Sequence, residues 1–256
     1  MILTDTHSHI YSEEFSQDRN EMMQRAFNAG VTRIFVPSID STYTKKMYEM
    51  EKQYPGNVFL MIGLHPVYVK PDTWEKELDF VETELSKRKF CAVGEIGIDL
   101  YWDKTTLAIQ QQAFRRQIHL AKKYKIAINI HGRESFDEIF EILSDETADD
   151  LFGIFHCFTG SQEQAQIAIS LGMKLGIGGV STFKNGKIDQ FLSEIPLEHI
   201  VLETDSPYLA PMPFRGKRNE SAYIVNIAQK LSEIYDLPLS EIAKITTENS
   251  KKVYGI

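Results

Sequence analysis

The sequence predicts an α/β chain folded as a (β/α)8 barrel with its chemistry at the C-terminal ends of the strands. Three observations carry this. Eight short apolar runs rich in Val, Ile and Phe follow one another along the chain. Amphipathic segments separate them. The length of 256 residues suits one such barrel, read here as a single domain over residues 1–256. An open doubly wound sheet is the other arrangement of alternating elements. It usually begins with a glycine-rich phosphate loop, and here two histidines follow the first run instead.

The runs occupy residues 2–9, 31–38, 58–66, 90–97, 126–133, 151–158, 173–179 and 199–205. Each is nearly continuous in apolarity, as expected of strands buried on both faces. Between the fourth and fifth, Leu107, Phe114, Ile118 and Ala121 recur at seven, four and three residues and form one apolar stripe. Ser135 with Glu138, and Ser161 with Gln164, have capping-box spacing after the fifth and sixth runs; Asp18 with Glu21 is a weaker start signal. Two helices are expected at the end, near 220–234 and 240–253.

Composition narrows the classes. With 43% hydrophobic and 25% charged residues, disorder, collagen and coiled coil are excluded. The longest apolar stretch, Val58 to Leu64, is far short of the about 20 residues that cross a bilayer. The N-terminus lacks the basic-then-apolar pattern of a signal peptide. Two cysteines, Cys91 and Cys157, suit a reducing compartment, so a cytoplasmic protein is expected. A net charge of −8 argues against a protein that coats long nucleic acid, though not against an enzyme acting on its ends.

The chemistry collects at the ends of the runs. His7 and His9 form an H-x-H, and residues two apart on a strand face the same way. Asp5 shares that face and is placed to orient a ring. Glu95 follows apolar residues and a glycine, where an unpaired carboxylate is expensive; a cation would neutralise it. His131 and His156 end the fifth and sixth runs, and Asp205 ends the eighth, with Glu203 one pleat below. Together His7, His9, Glu95, His131, His156 and Asp205 make an N/O donor set. It is large enough for two divalent ions if Glu95 bridges, with Zn, Mn, Fe, Co and Mg all compatible.

His65 ends the third run and reads as a substrate contact or a packing histidine. Arg133 shares a face with His131 and reads as a phosphate grip or a surface ion pair. Asp99 caps or turns the loop that follows Glu95. His119 and His199 are assigned to structure, and Lys122, Lys123 and Lys125 to a solvated cluster at the opposite end of the barrel. Tyr208, Phe214, Arg215, Lys217 and Arg218 follow the eighth run. They form either a rim that stacks bases and holds phosphates or an ordinary lid. Cys157 reads as an inert thiol.

The motifs DTHSH (5–9), GLHP (63–66), GEIGID (94–99), HGR (131–133), HCFTGS (156–161), ETDSPYLAP (203–211) and RGKRNE (215–220) together resemble the TatD family of metal-dependent deoxyribonucleases, within the amidohydrolase-like barrel superfamily. The resemblance runs from end to end; Ser221 stands where the family usually has proline. It implies a barrel with two divalent ions, Mg, Mn or Zn: His7, His9 and Asp205 on one, His131 and His156 on the other, Glu95 between them. It implies hydrolysis of phosphodiesters at DNA ends, 3′ to 5′, with His65 at the scissile phosphate; Asp205, a carboxylate able to exchange a proton with metal-bound water, is the candidate general base. The same donors would also suit an amide or ester hydrolase such as an aminoacyl-tRNA deacylase. A DNA end is the expected partner, with no membrane role and a monomeric chain.

Overall fold

Among the described residues eight parallel strands, β1 (Leu3–Asp5), β2 (Val31–Val36), β3 (Val58–Leu60), β4 (Ala92–Asp99), β5 (Ala127–Arg133), β6 (Gly153–Phe155), β7 (Met173–Ile177) and β8 (Ile200–Leu202), lie side by side in chain order. The computed structural model describes residues 1–146 and 151–256. The ladders form two sheets, β1-β2-β3 and β4-β5-β6-β7-β8. Their edges meet through single parallel bridges, Ile62 to Val93 and Ser8 to Ser206. Outside lie α1 (Arg19–Asn28), α2 (Thr44–Gln53), α3 (Trp74–Lys87), α4 (Leu107–Tyr124), α5 (Phe136–Glu146), α6 (Gln162–Ser170), α7 (Ile224–Tyr235) and α8 (Leu239–Tyr254). Among the described residues no helix is long and apolar enough to cross a membrane.

Three details depart from the sequence pattern. The first, third, sixth and eighth strands are only three residues long, because each run leaves the ladder before its last residues. Those residues carry His7, His9, His65, His156 and Asp205. Between β7 and β8 the described residues form 3-10 turns instead of an α-helix. The Ser161–Gln164 capping box forms at α6, whereas the Ser135 hydroxyl, expected to cap α5, donates to the Ile98 carbonyl at 2.6 Å. Asp18 precedes α1 without a capping hydrogen bond; its carboxylate holds Arg25 and Arg218 instead.

Strand alternation sorts the core into two parts. Val93, Ile96, Ile98, Ile128 and Ile130 belong to the larger core cluster, which the helices also join. Phe35, Met61, Ala92, Ala127, Ile154 and Val201 form a second, smaller cluster with Tyr254. Tyr254 comes from α8, stacks on Phe35 with ring centroids 4.1 Å apart, and donates to the Thr6 carbonyl at 3.4 Å. Along β5, inner-cluster Ala127 is followed at i+2 and i+4 by Asn129 and His131; Val201 is likewise followed by Glu203 and Asp205. The apolar inner layer therefore floors the polar site.

β4 needs one adjustment. Gly94 pairs with Asn129 and Ile96 with Ile130, so Glu95 is an extra residue in the ladder. The register shift lets Glu95 reach the same interior as Ala92 and Asp99, while Val93 and Ile96 stay with the larger core. Gly97, at φ +142, lies so close to β5 that a Cβ would sit 2.0 Å from the His131 carbonyl oxygen. We expect Gly97→Ala to cost about 1–3 kcal/mol of stability through overpacking and backbone strain. Gly56, at φ +79 with nothing within 4 Å, provides a control for conformation alone. Denaturant melts should show the larger loss for Gly97→Ala; equal losses would discount the β4–β5 contact.

Candidate metal centre

Glu95 is 2% exposed and lies among five imidazoles. Its Oε2 is 3.2 Å from His7 Nε2 and 3.7 Å from His9 Nε2. Its Oε1 is 2.8 Å from His131 Nδ1, 3.3 Å from His65 Nε2 and 3.5 Å from His156 Nε2. The two oxygens thus face different groups of nitrogens. Asp205 Oδ1 closes one side, 3.8 Å from His7 Nε2 and 3.5 Å from His9 Nε2. All six residues of the donor set inferred from sequence therefore converge.

The outer nitrogen of each ring decides what its inner nitrogen can do. Tyr11 donates its hydroxyl to the Pro37 carbonyl at 3.0 Å, so at 2.9 Å it accepts the Nδ1–H of His9. Asn129 Oδ1, 2.9 Å from His7 Nδ1, and Glu203 Oε1, 3.0 Å from His156 Nδ1, are acceptors as well. In their neutral forms, His7, His9 and His156 therefore carry the proton on Nδ1 and turn an Nε2 lone pair inward, as metal ligands require. The donor set fits a divalent cation for that reason.

His65 is the opposite case. Its Nδ1 accepts the backbone N–H of Val67 at 3.1 Å, which puts the proton on Nε2. Although it lies within ligating distance of Glu95 and His131, it turns a donor inward and is suited to an anion.

Around Glu95, His7 and His9 face Oε2 with Asp205 beside them, while His131, His156 and His65 face Oε1. His156 stacks on His7, centroids 3.5 Å apart and planes 13° from parallel. His7, His156 and Asp205 form one possible cation-binding group, His7, His9 and Glu95 another. His156 therefore shares Glu95 Oε1 with His131 while its ring stacks on His7. His131 has both nitrogens on carboxylates, with Nε2 2.8 Å from Asp99 Oδ2.

Electrostatics follow from burial. Desolvation opposes the charge on Glu95, yet the surrounding histidines hold its carboxyl well below the usual range. Desolvation also opposes the charge on His131, but the Asp99 and Glu95 carboxylates outweigh it and push its pKa up to about 9. Burial lowers His65 and His156. Burial raises Glu203 to about 8 against the Cys157 N–H that donates to it at 2.6 Å; its Oε2 has no partner. Burial likewise raises the Cys157 thiol, as expected of an inert cysteine.

Several expectations are refined. Asp5 orients no ring; it accepts from the Thr204 hydroxyl and amide at 2.6 and 2.9 Å and ties β1 to the turn after β8. Glu203 supports His156 and not Asp205. His119 pairs with Glu146 and His199 lies beside Glu198, both away from the donor set. Lys122 and Lys123 pair with Glu146 and Glu82. A cavity of about 650 Å³ opens over the donors, and its lining includes His65, Arg133, Tyr68, Trp102 and Tyr208. Phe214, Arg215, Lys217 and Arg218 do not line it. Arg218 is held by Asp18 at 2.7 Å, Phe214 stacks on Tyr223 and Arg215 lies over Phe183, so that segment packs locally. Tyr11, Asn129 and Trp102 were not singled out from sequence. Asn129, a polar residue within an apolar run two before His131, was the readable signal.

Two outcomes are expected. Tyr11→Phe should weaken divalent-metal affinity by about 10–100-fold, because His9 Nδ1 loses its orienting acceptor, and should lower the melting temperature modestly, because the Pro37 carbonyl loses its donor; titration calorimetry measures the affinity, and unchanged affinity would remove Tyr11 from this role. His131, raised from 6.5 to about 9 in the fold, stabilises chelator-treated protein fully below about pH 6.5, and that contribution is lost as pH rises through 9. Glu203, raised from 4.5 to about 8, acts in the same direction over a lower range. Melting temperature should therefore fall from pH 6.5 to 9, and the part above pH 8 should vanish in His131→Asn.

The TatD related DNase family profile matches residues 4–255. The metal-dependent hydrolase YabD of Bacillus subtilis is 39% identical over the full length of both chains. The solved structure of the TatD homologue YjjV from Escherichia coli is 30% identical, covers 99% of this chain and 98% of its own, and superposes with a TM-score of 0.93. A TatD family hydrolase from Entamoeba histolytica, at 23% identity, covers 99% of this chain and 98% of its own with a TM-score of 0.86, a likeness of fold. The family profile over residues 4–255 and the 39% identity over the full length of a metal-dependent hydrolase place this chain in the TatD family of metal-dependent hydrolases.

Proposed function

We propose that this hydrolase cleaves phosphodiester bonds, removing nucleotides from DNA ends in the 3′ to 5′ direction with two divalent cations that His7, His9, Glu95, His131, His156 and Asp205 would hold. The observation that carries the reading is Arg133. It lines the cavity over the donor set with its guanidinium over the Tyr101 and Trp102 rings and, among the described residues, has no carboxylate partner. An unpaired guanidinium beside a metal-ligand set suits a phosphate. A small uncharged amide or ester would leave it without a counter-charge.

The chemistry that divalent cations supply in such a donor set is polarisation of a phosphoryl oxygen and acidification of the attacking water. Asp205 is the proton acceptor. Desolvation opposes its charge, but the surrounding His9, His156 and His7 hold its carboxyl below the usual range, so it is ionised at neutral pH. His65 donates Nε2–H to a phosphoryl oxygen, and Arg133 holds the phosphate. Water attacks phosphorus, its proton passes to Asp205, and the P–O3′ bond breaks. The 3′ oxygen stays with the shortened strand and takes a proton from solvent. Arg215 and Lys217 are the exposed cations left on the segment after β8 to follow a longer strand.

One panel tests the reading: 3′-labelled single-stranded DNA, a small chromogenic phosphodiester and an aminoacyl ester, each with Mg, Mn and Zn. Wild type should shorten the DNA and cleave the phosphodiester. Glu95→Gln and Asp205→Asn should each lose at least about 100-fold in kcat, the scale of a general-base contribution. His119→Asn and His199→Asn should keep their turnover. Cleavage of the ester alone would replace the nuclease reading with a deacylase.

A further inference from the structure

The loop after β4 carries two aromatic side chains that the hydrolytic steps do not use. Tyr101 and Trp102 are 50% and 67% exposed, an unusual condition for adjacent large rings. They stand edge to face, centroids 5.1 Å apart. The Arg133 guanidinium sits 3.6 Å from the Tyr101 ring centroid and 5.7 Å from that of Trp102. Trp102 and Arg133 both line the cavity over the donor set.

The loop is pinned. Asp99 Oδ1 accepts the backbone N–H groups of Tyr101 and Trp102, each at 3.0 Å. Its other oxygen lies 2.8 Å from His131 Nε2. One buried carboxylate thus sets the aromatic pair and an inner imidazole at a fixed separation.

Resting on the phosphodiesterase reading, we propose that Trp102, backed by Tyr101 and Arg133, is a stacking seat for the nucleobase of the nucleotide that adjoins the scissile phosphate. The chemistry is complementary at both ends. An exposed indole offers a face to a flat heterocycle, and a guanidinium held by cation–π contact offers its N–H groups to the neighbouring phosphate. Any base has such a face, so the seat selects a nucleotide without reading its sequence. Asp99 is a positioning residue for this seat.

The test crosses protein with substrate. Wild type, Trp102→Ala and Trp102→Phe are assayed on a single strand with intact 3′-terminal bases and on strands made abasic at either nucleotide flanking the cleaved bond. Trp102→Ala should lose between about 5- and 100-fold in kcat/KM on the intact strand, the range one base–aromatic stack supplies. It should lose nothing further on the strand whose stacked base is missing, and Trp102→Phe should recover most of the loss. A cleavage-resistant phosphorothioate strand should quench wild-type tryptophan fluorescence, and the quench should shrink in Trp102→Phe, where Trp74 remains. Equal losses on intact and abasic strands, or an unchanged quench, overturn the seat and leave the nuclease standing. A wild type that cleaves none of the strands withdraws the nuclease reading and the seat with it.

Discussion

A carboxylate removed from water dominates this structure. Glu95 carries a charge that burial alone would expel at a cost of several kcal/mol, and it stays ionised because imidazoles surround both of its oxygens. That requirement reaches into the backbone. The extra residue in β4 exists at Glu95 itself, and it lets the carboxylate reach the interior while its neighbours keep their places in the core. Close approach at Gly97 then brings β5, with His131, against β4. Strand pairing, local geometry and electrostatics all serve one buried charge.

The histidines need a further layer, because an imidazole can turn either a proton or a lone pair towards the centre. Here the partner of Nδ1 makes the choice. Tyr11, Asn129 and Glu203 accept from their rings and leave lone pairs inside; Val67 donates to His65 and leaves a proton inside. The partners come from different places: a loop after β1, the middle of β5, the end of β8 and the turn after β3. A site of this kind is therefore a product of the whole ring of strands. It sits on an apolar layer in which Tyr254 of the last helix stacks on Phe35, so the far end of the chain supports the floor of the first strands.

At the mouth the organisation changes. Exposed Tyr68, Trp102 and Tyr208 come from loops after β3 and β4 and from the segment after β8, around a cavity whose base is polar. The basic stretch after β8 contributes less to that mouth than its composition suggests. Asp18 uses the hydrogen-bonding capacity of Arg218, which also lies over Phe15, and Phe214 is spent on Tyr223. A cation in a sequence is free for a ligand only if no acid folds next to it. Asp18, from the far end of the chain, removes Arg218 from that role, while Arg133 lies against aromatic rings and, among the described residues, pairs with no acid.

Much of this protein is written locally. Alternation at period two puts Ala127, Asn129 and His131 on one face, and Val201, Glu203 and Asp205 on another, so the strands and the donor set were readable from spacing and residue type. Glu95 was readable as an expensive carboxylate that needed cations around it. Which nitrogen of each histidine faces inward was not readable, because it depends on acceptors such as Tyr11 and Asn129 whose partners are set only when the strands are in register. Nor was the grouping of His156 with His7, since residues 149 positions apart meet only through the closing of the ring. Side-chain period is a property of a single strand and survives in the sequence; hydrogen-bond partnership between strands is a property of their packing, and the tertiary structure alone decides it.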